Sequence, residues 1–235
     1  MTEPATTFTA TIDGGTPVGG EISPSGVMGE LFDTISRQLQ DETGVAWPPS
    51  ALMPYADLAF AEIIKFHPQS HVADSLIELV AGARQTFPAD MIQFMEAICN
   101  MGTDGDTVGP TITTIKKSVM DQLLPNWMTY PSGDDVSHVI TDDQQPSMFY
   151  VFPPQGDNPV TILTVLSVPV AKMTSDISTF PFDPSYKPAF IDYMIFRALS
   201  EETTIPNALN KANSFYNKFL RDLGIKSEVD KSLKG

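Results

Sequence analysis

A chain of 235 residues with 42% hydrophobic side chains is long enough to bury a core, as one large domain or two small ones. Its net charge of −15 argues against a reader of nucleic acid, which needs Lys and Arg to neutralise phosphates. The single cysteine, Cys99, rules out an intramolecular disulfide framework, and no apolar run approaches the roughly 18 residues of a membrane span.

Residues 1–25 are rich in Thr, Gly and Pro and poor in large apolar groups, so they read as an extended N-terminal arm unable to fold alone. They carry no basic stretch followed by an apolar one, so no secretory signal is expected, and the lone thiol suits a reducing cytoplasm. Met28, Leu31, Phe32, Ile35 and Leu39 fall at helical spacing and predict a helix over 28–42, stopped at Gly44. Trp47-Pro48-Pro49 reads as a turn, with Ser50 as the cap of a second helix over 50–66. That helix is expected to bury Leu52, Tyr55, Ala59 and Ile63. Pro54 falls in its first turn, where a missing N–H costs little, and Pro68 forbids continuation.

From Ser75 the period changes, and a β-rich middle is expected over about 73–172. SLIELVAG and MIQFMEAICNMG read as strands, although the second also fits a helix. ARQTFPAD between them looks like a turn or an irregular strand. After the loop TDGDTVGP, residues Thr111 to Leu124 begin β-branched and end as a short helix from Lys117, broken at Pro125. VSHVITDD, SMFYVFPP and VTILTVLSVPV then predict an antiparallel sheet, with prolines stopping the aromatic strand. In that strand Phe149 and Val151 face one side, Tyr150 and Phe152 the other.

Two helices close the pattern, over 186–202 and 205–223. Phe190, Tyr193, Met194 and Arg197 share a face of the first, and Ala208, Ala212, Phe215, Tyr216, Phe219 and Leu223 share one of the second. Thr204 and Pro206 supply its cap and first-turn proline, and Gly224 its stop. The fold class expected is α+β, a helical bundle from the N- and C-terminal helices with an inserted, antiparallel β-rich region. Residues 26–224 form the domain and 225–235 a basic tail. From Lys211 onward there are six basic residues against three acidic ones, a balance of +3 on a body of −18. Such an end is either a solvated terminus or a segment that docks on an acidic partner.

Little in the chain announces catalysis or a metal. His67 and His71 are four apart, but Pro68 breaks the face they would share. His138 stands alone and reads as a surface residue. Cys99 sits in an apolar run with no basic neighbour to lower its pKa, which fits a buried structural thiol. The D-x-D-x-x-G loop from Asp104 has Val108 and Ile115 where a calcium loop needs ligands, so a turn fits better. The neighbouring pairs Asp134-Asp135 and Asp142-Asp143 point to opposite faces of a strand and rarely act together. No catalytic residue, metal ligand or cofactor is expected. Phe149, Tyr150 and Phe152 lack the flanking Lys and Arg of a nucleic-acid platform and fit core packing. In FPFDPSYKP, exposed aromatics for a partner and a rigid loop into the next helix are both open readings.

Several stretches in order carry a resemblance: WPPSALMPYADLAFAEII, ARQTFPAD, NMGTDG, SMFYVFPP, PAFIDYMIFRALSEE and NALNKANSFYNKFLRDLG. From about Val27 to Lys226 the chain resembles the head-to-tail adaptor (connector) proteins of tailed phages. The resemblance implies a structural virion protein, not an enzyme, made in the host cytoplasm and incorporated at the head-tail junction. It implies a homo-oligomeric ring, commonly of twelve subunits, beneath the portal protein. The ring would extend the DNA channel without sequence-specific binding and offer a docking surface to tail tube or nozzle proteins. On that resemblance Lys226, Lys231, Lys234, Phe215 and Phe219 are the expected portal contacts, and Phe180, Phe182 and Tyr186 the expected inter-subunit or tail contacts. The N-terminal arm lies outside the resemblance; clasping a neighbouring subunit or a tail protein are both open to it. The alternatives are a helical-hairpin interaction module, a tail-completion or tail-tube subunit, and, with least support, a hydrolase.

Overall fold

In a computed structural model, residues 24–102, 105–202 and 207–225 are described. The chain runs α1 (Gly26–Leu39), α2 (Pro49–Phe66), β1 (Val72–Glu78), β2 (Gly82–Thr86), β3 (Gln93–Met101), β4 (Val108–Thr111) and β5 (Thr113–Lys116). There follow α3 (Lys117–Leu123), β6 (His138–Thr141), β7 (Met148–Gln155), β8 (Thr161–Ser167), α4 (Lys187–Glu201) and α5 (Ala208–Asp222). The class is mixed α+β.

α1 buries Met28, Leu31, Phe32, Ile35 and Leu39, the stripe its spacing predicts. It ends earlier than expected because Gln40 already takes the left-handed conformation at φ 60°, four residues before Gly44, which takes it too at φ 66°. Asp41 then organises the turn. Its Oδ1 accepts the Val45 N–H at 2.9 Å, and its Oδ2 accepts those of Ala46 and Trp47 at 2.9 and 2.7 Å. Burial by itself would raise this carboxyl, but the backbone N–H groups of Trp47, Val45 and Ala46 outweigh it and hold the pKa below the ordinary value. Asp41→Asn turns one acceptor into a donor facing donors and is expected to cost about 1–3 kcal/mol. A depressed folded-state pKa stabilises above the unfolded value of about 3.9 and is lost as pH falls through the folded value. Urea unfolding should therefore show the two proteins converging in acid.

The entry to α2 differs from expectation. Pro48 sits at the cap position and Pro49 opens the helix, so Ser50 lies inside it and makes no capping bond. The helix buries Leu52, Ala56, Ala59, Phe60, Ile63 and Ile64. Tyr55 is only half-buried, because its hydroxyl reaches out to donate to Glu201 Oε2 at 2.7 Å. Burial, then that acceptor, pushes its pKa up to about 12. The core of the helices draws on α1, α2, α4 and α5 together, with Phe60 stacked on Phe190 at 5.3 Å.

Among the described residues the β region is two four-stranded sheets, in orders β1-β8-β3-β4 and β2-β7-β6-β5. The three strands expected in one antiparallel sheet divide between them, β6 and β7 in one and β8 in the other. Among the described strand pairs all but one are antiparallel. The exception is β5 with β6, parallel from Thr113↔His138 to Lys116↔Thr141, and α3 lies in the crossover such a pair requires. Ile77, Ala97, Val139, Phe149, Val151, Ile162 and Leu166 fill the core shared by the sheets. Tyr150 and Phe152 face the other way, onto Trp127 and Tyr130 at 5.5 and 5.2 Å. The expected proline stop does not occur. β7 continues through Pro153 and Pro154 to Gln155, since the prolines still offer carbonyls, and Pro154 O accepts the Gly133 N–H at 3.1 Å. His138 is half-buried against Phe152 rather than a free surface residue. Asn100, on β3, joins the sheets. Its side chain donates to Val136 O and Pro110 O and accepts the Val136 N–H.

Candidate functional site

α4 and α5 form the helical hairpin to which the sequence directs attention. α4 buries Ala189, Phe190, Tyr193, Met194, Ile195, Ala198 and Leu199. Arg197 lies at the rim of that face, its guanidinium 5.9 Å from the Tyr55 ring of α2 and 3.0 Å from Glu201. α5 buries Ala208, Ala212 and Phe219, with Leu223 just beyond its end. The proposed cap and first-turn proline, Thr204 and Pro206, lie outside the described residues; Asn207, at φ 61°, precedes the helix. At the other end Gly224 adopts φ 70° and donates to Arg221 O at 2.8 Å, while the Ile225 N–H returns to Leu220 O at 2.8 Å. This closed turn sets the direction in which the chain leaves the hairpin.

His67, which follows α2, fixes that exit. Nε2 lies 2.9 Å from Leu223 O, an acceptor only, so this nitrogen donates. Nδ1 lies 3.1 Å from the Tyr186 hydroxyl and accepts from it in the neutral ring. One imidazole thus ties the end of α2, the start of α4 and the end of α5. His71 instead bonds Val168 O through Nδ1 at 2.9 Å, so the two histidines serve separate structural tasks. Their spacing raises a metal, which Pro68 sets aside; nothing local in the sequence signals a clamp between segments so far apart.

The expected contact residues divide by burial. Phe219 is 0% exposed, packed against Tyr193 at 5.0 Å and Phe66 at 6.2 Å, so within the protomer it offers a partner no surface. Phe215 is half-buried, with Lys218 Nζ 4.3 Å above its ring, and this pair does reach the surface. Lys226, Lys231 and Lys234 lie outside the described residues. Phe182 is also buried, against Phe60 and Phe180 at 5.6 Å each, while Phe180 and Tyr186 are half-buried. Phe180, Phe182 and Tyr186 therefore brace α2 against α4, the rigid-loop reading of FPFDPSYKP. They are brought together; of the portal set only Phe215 and Phe219 are described, and Phe219 is enclosed while Phe215 packs half-buried at the edge of the helical core.

The hairpin also holds a half-buried acid. Burial, opposed by Lys218 and then assisted by Asp222, raises the Asp192 pKa to about 6, with Arg221 opposing it. A raised folded-state pKa contributes stability below the unfolded value of about 3.9 and loses it as pH rises through the folded value. Asp192→Asn is expected to stabilise the protein by about 1 kcal/mol at neutral pH, after discounting for solvent screening, and by almost nothing near pH 4. Thermal unfolding at both pH values checks the sign.

The candidate acid–base groups serve the fold. Asp143 pairs with Lys116 at 2.7 Å, and Asp142 Oδ1 accepts the Gln144 N–H at 2.9 Å. Cys99 is buried, its Sγ 3.7 Å from Met101 Sδ. Among the described residues no His, Cys, Asp and Glu gather as a metal-binding group, and no helix is long and apolar enough to cross a membrane.

A protein-family model described as SU10 adaptor protein matches residues 28–233, which includes the hairpin and most of the tail. A comparison with curated proteins gave no match.

Proposed function

From the premise that the chain belongs to the SU10 adaptor protein family, we propose that it forms a homo-oligomeric ring between a phage portal and the tail. An adaptor of this family is a structural protein of the virion. In the ring proposed here, commonly of twelve copies, the helical ends form a bundle from which the β region projects toward the tail. The bundle meets the portal, and the sheets give tail tube or nozzle proteins a docking surface. The observation that carries this reading is the extent of the family match, across both helical ends and the β region between them.

The hairpin supports a division of labour. Gly224 and His67 close the end of α5, and Phe215 and Lys218, both half-buried, mark a surface-reaching face of that helix. We assign portal contact to this face together with Lys226, Lys231 and Lys234. The net charge gives the channel its character: twelve copies at −15 carry about −180, a field that repels phosphate and favours transit of DNA over adhesion. The same repulsion favours a monomer in free solution that assembles on the portal.

Electron microscopy of particles made without this gene tests the proposal. Tailless heads that leak DNA, repaired when the protein is supplied, are the expected result. Intact, tailed, infectious particles would overturn it.

A further inference from the structure

β1 is an edge strand with little protection. Among the described residues it pairs with β8 alone, over seven residues, which leaves its other edge unpaired. Native edges are usually blunted by Pro, Lys, bulges or short length. β4 and β5 have four residues each, with Pro110 in the first and Lys116 in the second, and β2 shifts register after Gly82. β1, Val72-Ala-Asp-Ser-Leu-Ile-Glu78, has no Pro, Lys or bulge and is longer; its only charges are Asp74 and Glu78. Val72 is 45% exposed and Leu76 50%, on the same face of the strand, and Val80 continues the apolar line beyond it.

The N-terminal sequence holds a matching segment. Thr7-Phe-Thr-Ala-Thr-Ile-Asp13 alternates polar and apolar residues and is as long as β1. It is rich in β-branched side chains, bounded by Pro4 on one side and Gly14-Gly15 on the other. Up to Ile12 it is uncharged, so Asp74 and Glu78 do not repel it.

The route is short. Gly26, at φ 58°, lies so close to Ser178 that a Cβ would come 2.8 Å from its carbonyl oxygen, and the Met28 N–H donates to that oxygen. The same loop carries Phe182 to His71, the residue before β1, with rings 6.0 Å apart. Ten residues, 14–23, separate the segment from Pro24 and reach at most about 35 Å when extended. Their four glycines let the chain turn back, and such a tether gives an intrachain partner a high effective concentration.

We infer that Thr7–Asp13 docks as an added strand on the free edge of β1 in the same chain, with Phe8, Ala10 and Ile12 covering Val72 and Leu76. Main-chain hydrogen bonds supply the pairing, and the apolar trio supplies the register, since a slip by one residue would turn it toward Ala73 and Ser75.

Hydrogen exchange followed by mass spectrometry on the full-length protein tests this. The comparison is with a variant lacking residues 2–13 and with Thr9→Pro/Ala10→Pro, which removes two successive N–H groups so that one facing β1 is lost in either pairing. The peptide covering 72–78 is expected to exchange about tenfold faster in both variants, while α4 and α5 keep their rates. Equal exchange in all three proteins would overturn the proposal. Protection that disappears on dilution of the full-length protein would overturn the intrachain assignment and give the strand to a neighbouring copy.

Discussion

Removing residues 226–235 is expected to abolish binding to the portal protein while leaving the thermal unfolding of the protomer unchanged. The cut belongs after Ile225, because that residue still serves the hairpin: its N–H bonds Leu220 O and its side chain packs against the helical core. Beyond it stand Lys226, Lys231 and Lys234 against Glu228 and Asp230. If these residues dock between portal subunits, they contribute in every copy of the ring, and their loss multiplies through avidity. A pull-down with portal protein reads the effect, and calorimetry provides the control. Undiminished binding would remove the tail from the interface and leave the α5 face to explain it.

Phe219→Ala is expected to cost about 3–5 kcal/mol, a large share of the 5–15 kcal/mol that holds a typical domain together. The ring is wholly enclosed, and its contacts come from Tyr193 on α4, Phe66 on α2 and Tyr216 on its own helix. Its loss opens a cavity where three helices meet. Phe215→Ala, one helical turn away, removes a half-buried ring under Lys218 and is expected to reduce portal binding with only minor loss of stability. Urea unfolding of both variants, alongside the pull-down, separates the two roles. Equal stability losses would mean that α5 presents no functional face.

That contrast marks how far the sequence could be read. The α5 stripe was legible because apolar residues recur at helical spacing, but periodicity names a face without ranking its members. Phe215 lies at the edge of the stripe and Phe219 at its centre, a difference decided by where α2 and α4 come to rest. The strands around Phe149 and Ile162 were legible from alternation and β-branching. Their division into two sheets was not, because pairing depends on contacts distant in sequence, such as β1 with β8. Helix ends followed local chemistry only in part: Gly224 stops α5 as expected, whereas Gln40 takes the role given to Gly44 because Asp41 gathers the next turn. His67 gave no sign of its function, since both of its partners lie more than a hundred residues away.

The helical core has a consequence for synthesis. α1 and α2 emerge from the ribosome with their apolar stripes bare, and the whole β region must follow before α4 and α5 arrive to cover them. Contacts of such sequence separation form late, after the loop between them has been closed. In the interval the nascent chain exposes Phe32, Phe60 and Ile63, a surface suited to chaperones or to aggregation. Closure of this core therefore waits on the stretch from Lys187 onward, the last part of the chain to be translated.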